Sequence, residues 1–222
     1  MSTLNVDNIN EYTTDGKVNV GHDIKLASGK SIRNSDNKAI AALVHLNTTT
    51  VASGSAVSTF SVQSVFSASY TNYKVITELY GTATSDQRVY MQFLYNTSST
   101  ATTTYSYSMV YQRLSTSGHA QETNQGTTGA YWGYVRPRYD VDNSNGGTNH
   151  TTGHILNPFG TTTYTSYNFQ SLFTRSAASY SGWGYTGAGV LLDIGTSFDG
   201  LKFYAASGNI YGTIKVYGMS DA

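Results

Sequence analysis

The stretch FDGLKFYAASGNIYGTIKVYG (198–218) contains two runs of alternating apolar and polar residues, separated by a Ser-Gly-Asn turn. Successive side chains of a strand point to opposite faces of a sheet, so each run has one apolar face. The apolar positions that cover the same core are Leu201, Phe203, Ala205, Ile210, Ile214 and Val216. Lys202 and Lys215 are left for solvent. The stretch predicts a closing β-hairpin whose second strand is paired on both sides.

Similar alternation continues backwards along the chain to about residue 50, with no helical pattern between the runs. The candidate strands are TFSVQSVF, NYKVITELYG, RVYMQFLYN, TYSYSMVYQRL, AYWGYVRPRYDV, GHILNPF, SYNFQSLFTR, GVLLDIG, GLKFYA and IYGTIKVYG. This spacing predicts an all-β domain over residues 47–222, a β-sandwich or jelly roll of about ten antiparallel strands. The Gly- and Ser-rich stretches STSGHAQETNQGTTG, DNSNGGTNHTTG and SAASYSGWGYTGAG are predicted to be long loops, where recognition usually lies.

Residues 1–46 differ from the rest of the chain. Their apolar residues come as short dyads between turn sequences, in KVNV, DIKL and ASGKSI. Each run is too short to bury a face of its own, so we expect an extended β segment that docks on another protein or trimerises. A disordered tail is the alternative, which the polar NSDNK favours locally. The stretch KAIAALVHL (38–46) fits a short helix or a strand.

The composition limits the classes of partner. Charged residues make up 12% of the 222 residues and sum to a formal net charge of zero, so no basic surface for nucleic acid or an anionic membrane is expected. The start MSTLNVDNINEY lacks the basic and apolar regions of a secretory signal, and no run of about 18 apolar residues predicts a membrane span. Cysteine is absent, which excludes disulfides and thiolate metal sites.

Several stretches resemble a known family. SVFSASYTNYKVITELYGTATSDQRVYMQF (64–93), with its Tyr-x-x-Tyr-Lys-Val run, and the stretch 198–218 are similar to the first and last strands of a jelly-roll domain in tailed-bacteriophage virion proteins, especially those of marine and cyanobacterial phages. MSTLNVDNINEY and DIKLASGKSIRNSDN resemble anchoring or trimerising segments of phage fibres. The resemblance implies a homotrimeric virion component, assembled in the host cytoplasm and released by lysis. It does not extend to residues 97–189, and its motifs are structural, so it assigns no binding residue.

Two aromatic stretches interleaved with glycine, AYWGY and SYSGWGY, are the main functional pattern. Aromatic rings stack on the apolar faces of sugars and anchor many interfaces. The candidate ligand-binding residues are Tyr131, Trp132, Tyr134, Arg136, Tyr180, Trp183 and Tyr185. The alternative is that these rings fill the ends of the sandwich or a subunit interface. Gly184, Gly187 and Gly189 are assigned to turns.

Metal sites have only loose patterns. His150 and His154 are four residues apart in a predicted loop, and His119 lies in another. A spacing of four has meaning mainly on a helix, so these residues are interpreted as ordinary loop histidines unless a trimer axis combines them. Asp140, Asp142 and Ser144 alternate like the first ligands of a calcium loop, but the glycine and glutamate that should follow are missing, which favours a solvated turn. No cofactor is expected.

Enzymatic motifs are also sparse. No phosphate-binding loop and no G-x-S-x-G nucleophile motif occurs in the sequence. A glycosidase needs two carboxylates held across the scissile bond, and the candidates are Asp140, Asp142, Asp193 and Glu122.

The sequence and the resemblance together predict a non-enzymatic virion structural protein. The expected form is a trimeric fibre, attached to other virion proteins through residues 1–46, with a projecting adhesive domain that recognises a host-surface glycan or protein. A capsid cement protein that staples capsomers through its N-terminal arm is the alternative, and a polysaccharide depolymerase is the third.

Overall fold

A computed structural model describes residues 43–83, 85–96, 99–101, 105–113, 119–135, 147–175, 182–193 and 195–219. These ranges contain thirteen strands: β1 (Leu43–Val51), β2 (Thr59–Val62), β3 (Asn72–Gly81), β4 (Gln87–Tyr95), β5 (Ser99–Thr100), β6 (Tyr105–Arg113), β7 (His119–Thr127), β8 (Ala130–Val135), β9 (Gly147–Leu156), β10 (Thr165–Arg175), β11 (Gly182–Leu191), β12 (Gly200–Ala205) and β13 (Ile210–Met219). A short 3-10 helix covers Ser53–Ser55. The predicted attachment segment lies outside the described residues as far as residue 42.

The strands form two antiparallel sheets packed face to face, which confirms the predicted β-sandwich. The large sheet has the order β1-β13-β3-β9-β10-β11-β6-β7, and the small sheet has the order β2-β12-β4-β5, with β8 also paired to β4. The three strands beyond the predicted ten are β1, β5 and β7. Strand residues also occupy three of the predicted loops, which form β7 and lengthen the predicted strands β9 and β11. Their sequences, rich in Ser, Thr, Asn and Gly, form β7, the first half of β9 and most of β11. The expectation of long recognition loops at those positions is therefore wrong for the described residues.

The closing stretch supplies the predicted core but not the predicted hairpin. The apolar side chains Leu201, Phe203, Ile210, Ile214 and Val216 are all fully buried. However, β12 pairs with β2 and β4 in the small sheet, whereas β13 pairs with β1 and β3 in the large sheet. The turn between them therefore carries the chain from one sheet to the other. The expectation that β13 is paired on both sides is confirmed.

The inner face of the large sheet alternates large aromatic residues with glycines across neighbouring strands. Phe169 of β10 lies between Gly153 of β9 and Gly187 of β11 in the register. A Cβ atom on Gly187 would lie 2.6 Å from the Phe169 ring, and one on Gly153 would lie 2.3 Å from the ring of Trp132 in the small sheet. These glycines make room for the rings, so Gly187 and its neighbour Gly189 are strand residues and not the turn residues that the sequence suggested.

The strand β1 runs across the expected domain boundary at residues 46 and 47. It pairs with β13 from Leu43 to Val51, so residues 43–46 belong to the sandwich. The stretch KAIAALVHL (38–46) fitted either a helix or a strand, and its described residues, 43–46, form a strand. No helix among the described residues is long and apolar enough to cross a membrane.

Candidate functional site

The two aromatic stretches are strands, and most of their rings belong to the core. AYWGYV forms β8, and the described part of the second stretch begins β11. Tyr131 is 0% exposed, Trp132 is 1% exposed and Tyr185 is 5% exposed. A buried ring offers no face to a ligand from solution, so the proposal that these three residues stack on a ligand is corrected: they are packing residues. Tyr134 and Trp183 are half-buried.

The two stretches meet in one aromatic cluster between the sheets. The ring of Tyr185 lies 5.3 Å from that of Tyr134, 6.0 Å from that of Tyr131 and 6.3 Å from that of Trp183, measured between centroids. Tyr111 of β6 joins the cluster, 5.3 Å from Trp183. The sequence did not show whether the two stretches meet; in the structure they do, and the joint role of these rings is packing. Arg136 and Tyr180 lie outside the described residues.

Buried polar groups surround the cluster. The indole N–H of Trp132 donates to the hydroxyl of Thr77 in the opposite sheet at 3.0 Å, and Thr151 donates to Ser171 at 2.8 Å. The hydroxyl of Tyr131 is buried and has no hydrogen-bond partner among the described residues. Burial raises the pKa of Tyr131 well above its ordinary value, and the neighbouring Tyr185 raises it further. This ring therefore stays neutral in the folded protein at physiological pH.

A concave site lies on the opposite, outer face of the large sheet. It is an open hollow of about 500 Å³ that crosses four neighbouring strands. Its floor is Gly184, where an added Cβ would meet nothing within 4 Å. The side chains around it are Val110, His150, Thr152, Gln170, Leu172 and Thr186. We refer to these six residues and Gly184 as the hollow.

The register explains why these residues meet. Gln170 of β10 pairs with Thr152 of β9 and with Thr186 of β11, so three polar side chains form one row across the sheet. Leu172 pairs with His150 on one side and with Gly184 on the other, where the missing side chain opens the depression. The hollow exists because polar residues on three strands align in one row and a glycine interrupts the next row.

The hollow combines hydrogen-bonding groups with apolar surface. Gln170, Thr152 and Thr186 supply donors and acceptors, while Val110 is 52% exposed and Leu172 is 46% exposed. A sugar ring presents hydroxyl groups at its edge and C–H groups on its face, and this mixture of neutral polar and aliphatic surface matches both. None of the described residues that line the hollow carries a carboxylate.

His150 and His154 lie on the same face of β9, and His150 lines the hollow. Four residues along a strand separate their Cα atoms by about 13 Å. Two ligands of one metal ion have nitrogens only about 4 Å apart, so the two histidines of one chain do not share a metal. No group of three or more potential ligands that could hold a metal ion occurs in the part of the chain that the structure describes. His119 begins β7, and the loose calcium pattern at 140–144 lies outside the described residues.

The two candidate carboxylates of a hydrolase that the structure describes, Glu122 and Asp193, are engaged in other contacts. Glu122 forms a two-pronged ion pair with Arg88, with N···O distances of 2.9 Å and 3.1 Å. This pair links β4 of the small sheet to β7 at the edge of the large sheet. Asp193 follows β11 and accepts a hydrogen bond from Thr196 at 3.2 Å. Asp140 and Asp142 lie outside the described residues, so the pairing that a glycosidase requires is not tested for them.

No family model, no curated protein and no solved structure matches the chain.

The sequence missed the hollow because its residues look ordinary one strand at a time. Thr152, Gln170 and Thr186 are polar positions of half-buried strands, the expected pattern for any solvent-exposed sheet face. The strand order, which places β9, β10 and β11 side by side, is needed to bring them together. The sequence did carry one signal of the hollow: GTNHTTGHIL and GWGYTGAGVL contain many polar and small residues.

Proposed function

We propose that the chain is a non-enzymatic, homotrimeric structural protein of a phage virion, whose sandwich binds a host-surface glycan in the hollow. The hollow is the observation that carries the proposal, because its volume lies in the range of small-molecule sites and its chemistry suits a carbohydrate. The virion assignment rests on the resemblance of residues 64–93 and 198–218 to jelly-roll domains. The repeated crossing of the chain between the two sheets, as from β12 to β13, is compatible with a jelly-roll winding.

The outer face of the large sheet also has an apolar edge at the end of the strands that lies away from the hollow. This edge supports attachment of the chain to the virion at that end. The apolar edge comprises Leu43, Leu156, Tyr164 and Leu192, which are 38% to 48% exposed. The register aligns Leu43 with Leu156 across β1, β13, β3 and β9, and Tyr164 and Leu192 adjoin β10 and β11 at the same end of the strands. Leu156 and His150 are six residues apart on β9, a separation of about 20 Å. Residues 1–42 join the sandwich at Leu43, within this edge. The described face thus offers an apolar surface where the N-terminal segment enters and a polar hollow farther along the strands.

We assign the apolar edge to contacts with further copies of this chain. Soluble monomers rarely leave large apolar side chains grouped on an exposed surface. If copies of the chain attach through residues 1–42, their apolar edges come close together, because residue 42 of each copy is bonded to Leu43 of that edge. Association also suits an open, shallow hollow, since three weak sites on one particle gain affinity through avidity.

A substitution on the floor of the hollow tests glycan binding. Gly184→Tyr fills the hollow with a residue that strands favour, at a position where an added side chain meets nothing within 4 Å. The matched control is Gly54→Tyr in the short 3-10 helix, where the space is equally open. On a glycan array, we expect the parent and the control to bind the same glycans and Gly184→Tyr to lose at least about tenfold in affinity, equivalent to about 1.4 kcal/mol.

Two outcomes would contradict the proposal. If the parent binds no glycan on the array, or if Gly184→Tyr binds as well as Gly54→Tyr, the hollow is not a glycan site. The position in the virion is tested separately, by labelling the chain in particles for electron microscopy. Labels on tail fibres agree with the proposal, whereas labels at the capsid surface would favour the cement protein.

A further inference from the structure

The charges of the outer face are not balanced, although those of the whole chain are. The described cationic side chains on this face near the hollow are Lys74 of β3 and Lys215 of β13, and His154 of β9 lies beside Lys74. We refer to Lys74, Lys215 and His154 as the basic flank. Glu78 of β3 is the carboxylate among the described residues of this face, and it accepts a hydrogen bond of 2.5 Å from the hydroxyl of Tyr80.

The register places the basic flank next to the hollow. Thr152, which lines the hollow, pairs with Ile76 of β3, and Ile76 pairs with Lys215 of β13. Two strand spacings separate the Cα atoms of Thr152 and Lys215, a distance of about 10 Å. Lys74 lies two residues along β3 from Ile76, on the same face. A ligand longer than one sugar ring can therefore occupy the hollow and reach the lysines.

The remaining described carboxylates lie away from this surface. Glu122 is on the inner side of β7 in its ion pair with Arg88, and Asp86 precedes β4 of the small sheet. Asp193 and Asp199 lie in the connection from β11 to β12. Among the described residues, the ion pair is that of Arg88 with Glu122, and neither Lys74 nor Lys215 takes part in it. The exposed Lys215 and the half-buried Lys74 lie next to a polar hollow, an arrangement that favours an anionic ligand.

We propose that the glycan is acidic, a polysaccharide whose carboxylate or sulfate groups lie against Lys74 and Lys215 while a neighbouring sugar occupies the hollow. This inference rests on the proposed glycan-binding function and names its ligand class. Lysine is a flexible point charge with three donors, so it accepts either anion without demanding one fixed geometry. The hollow supplies the contacts to sugar hydroxyls and C–H groups, and the basic flank selects for charge.

The test uses the full chain on an array that carries each acidic glycan beside its neutral counterpart, with carboxyl groups reduced or sulfate esters removed. The parent protein is expected to bind the acidic member of a pair at least about tenfold more tightly at low ionic strength, with the preference decreasing as salt is added. The carboxyl and sulfate arms show which anion is recognised. The double variant Lys74→Gln/Lys215→Gln should lose the preference but keep its binding to neutral counterparts.

Two controls separate this inference from the function on which it rests. Lys202→Gln removes a positive charge from the small sheet, where Lys202 donates to Thr100 at 3.0 Å, and should leave the preference intact. Gly184→Tyr should lose acidic and neutral glycans together. Equal binding to both members of each pair would overturn the acidic ligand and leave the glycan site standing. Loss of preference in Lys202→Gln would also overturn it. Acidic binding that survives Gly184→Tyr, or no binding at all, would overturn both proposals.

Discussion

Trp132 shows how a single side chain connects the two sheets. It is 1% exposed, its ring packs against Phe203 and Phe169 at centroid distances of 5.5 Å and 5.9 Å, and its N–H bonds to Thr77. Truncating a buried tryptophan typically costs about 3–5 kcal/mol. A loss of ligand binding in a Trp132→Ala variant would therefore report destabilisation of the sandwich and not a lost contact to a ligand.

Tyr105, Tyr131 and Tyr167 are all buried, but their hydroxyl groups differ in hydrogen bonding. The Tyr105 hydroxyl accepts from the Phe93 N–H at 2.8 Å and donates to the Ala101 carbonyl at 3.0 Å. The hydroxyls of Tyr131 and Tyr167 are buried, and no described residue forms a hydrogen bond with them. Because an unpaired buried polar group costs about 1–3 kcal/mol, the same substitution should have opposite effects at these positions.

We predict that Tyr131→Phe and Tyr167→Phe each raise the free energy of unfolding at pH 7 by about 1 kcal/mol, whereas Tyr105→Phe lowers it by about 1–3 kcal/mol. Urea denaturation followed by tryptophan fluorescence measures all three. Lower stability of both the Tyr131 and the Tyr167 variants would show that these hydroxyls have partners in solution.

The same tyrosines predict how stability changes at alkaline pH. Burial raises the pKa of Tyr131 and Tyr167 in the folded state, while an unfolded tyrosine titrates at about 10. Their contribution is complete below pH 10 and is lost above it, because the unfolded chain then releases protons that the folded chain keeps. Each tyrosine should lower the free energy of unfolding by about 1.4 kcal/mol per pH unit in that range.

Unfolding titrations between pH 9 and pH 11.5 check this dependence. The double variant Tyr131→Phe/Tyr167→Phe should lose stability less steeply than the parent above pH 10, because two of the titrating groups are gone. Parallel curves for the two proteins would mean that these hydroxyls ionise equally well in the folded and unfolded states.

At the scale of one element, β11 carries glycines with opposite structural roles. Gly187 faces the core, where a Cβ atom would lie 2.6 Å from Phe169, and Gly184 faces the open hollow. Gly187→Ala should lower the free energy of unfolding by about 1–3 kcal/mol through overpacking. Gly184→Ala should leave stability unchanged or raise it by up to about 1 kcal/mol, since glycine is a poor strand residue. Equal effects in thermal denaturation would contradict the assignment of the two faces.

Strand β11 also shows where prediction from the sequence stopped. Its glycines, with Ser and Thr nearby, favoured turns because glycine weakens an isolated strand. In the sandwich those glycines accept the rings of Phe169 and Tyr167 from the adjacent strand, a cross-strand pairing that local propensity does not register. By contrast, β3, β4 and β13 were predictable, because alternation of apolar and polar side chains over nine or ten residues reflects burial of one face.

Pairing between strands that are distant in the sequence was the second feature that could not be predicted. Leu201 and Ile210 were correctly placed in the core, yet sheet membership differs between β12 and β13. An apolar face is equally satisfied by a hairpin partner and by a facing sheet, so periodicity alone does not separate these solutions. The hollow could not be predicted for the same reason, because it depends on the order of β9, β10 and β11 in the large sheet.

At the scale of the whole molecule, the outer face of the large sheet carries two separate surfaces, the apolar edge and the hollow. Each can be changed by its own substitutions. The apolar edge includes Leu156 and Leu192, which are 38% and 48% exposed, and the hollow includes Leu172, which is 46% exposed. All three leucines are partly solvated, so replacing any of them by aspartate removes exposed apolar area without placing a charge in the core. Such substitutions should leave the sandwich folded and change only what each surface contacts.

We predict that the full chain is a trimer of 24.0 kDa subunits and that Leu156→Asp/Leu192→Asp shifts it towards smaller species, because carboxylates at the apolar edge repel one another across the contact. Leu172→Asp should remain trimeric and lose glycan binding, since its charge lies in the hollow. Size-exclusion chromatography with light scattering measures the mass, and circular dichroism verifies the fold. A monomeric parent protein would refute the trimer. Dissociation by Leu172→Asp as well, or an unchanged mass for the edge variant, would show that the apolar edge does not hold the copies together.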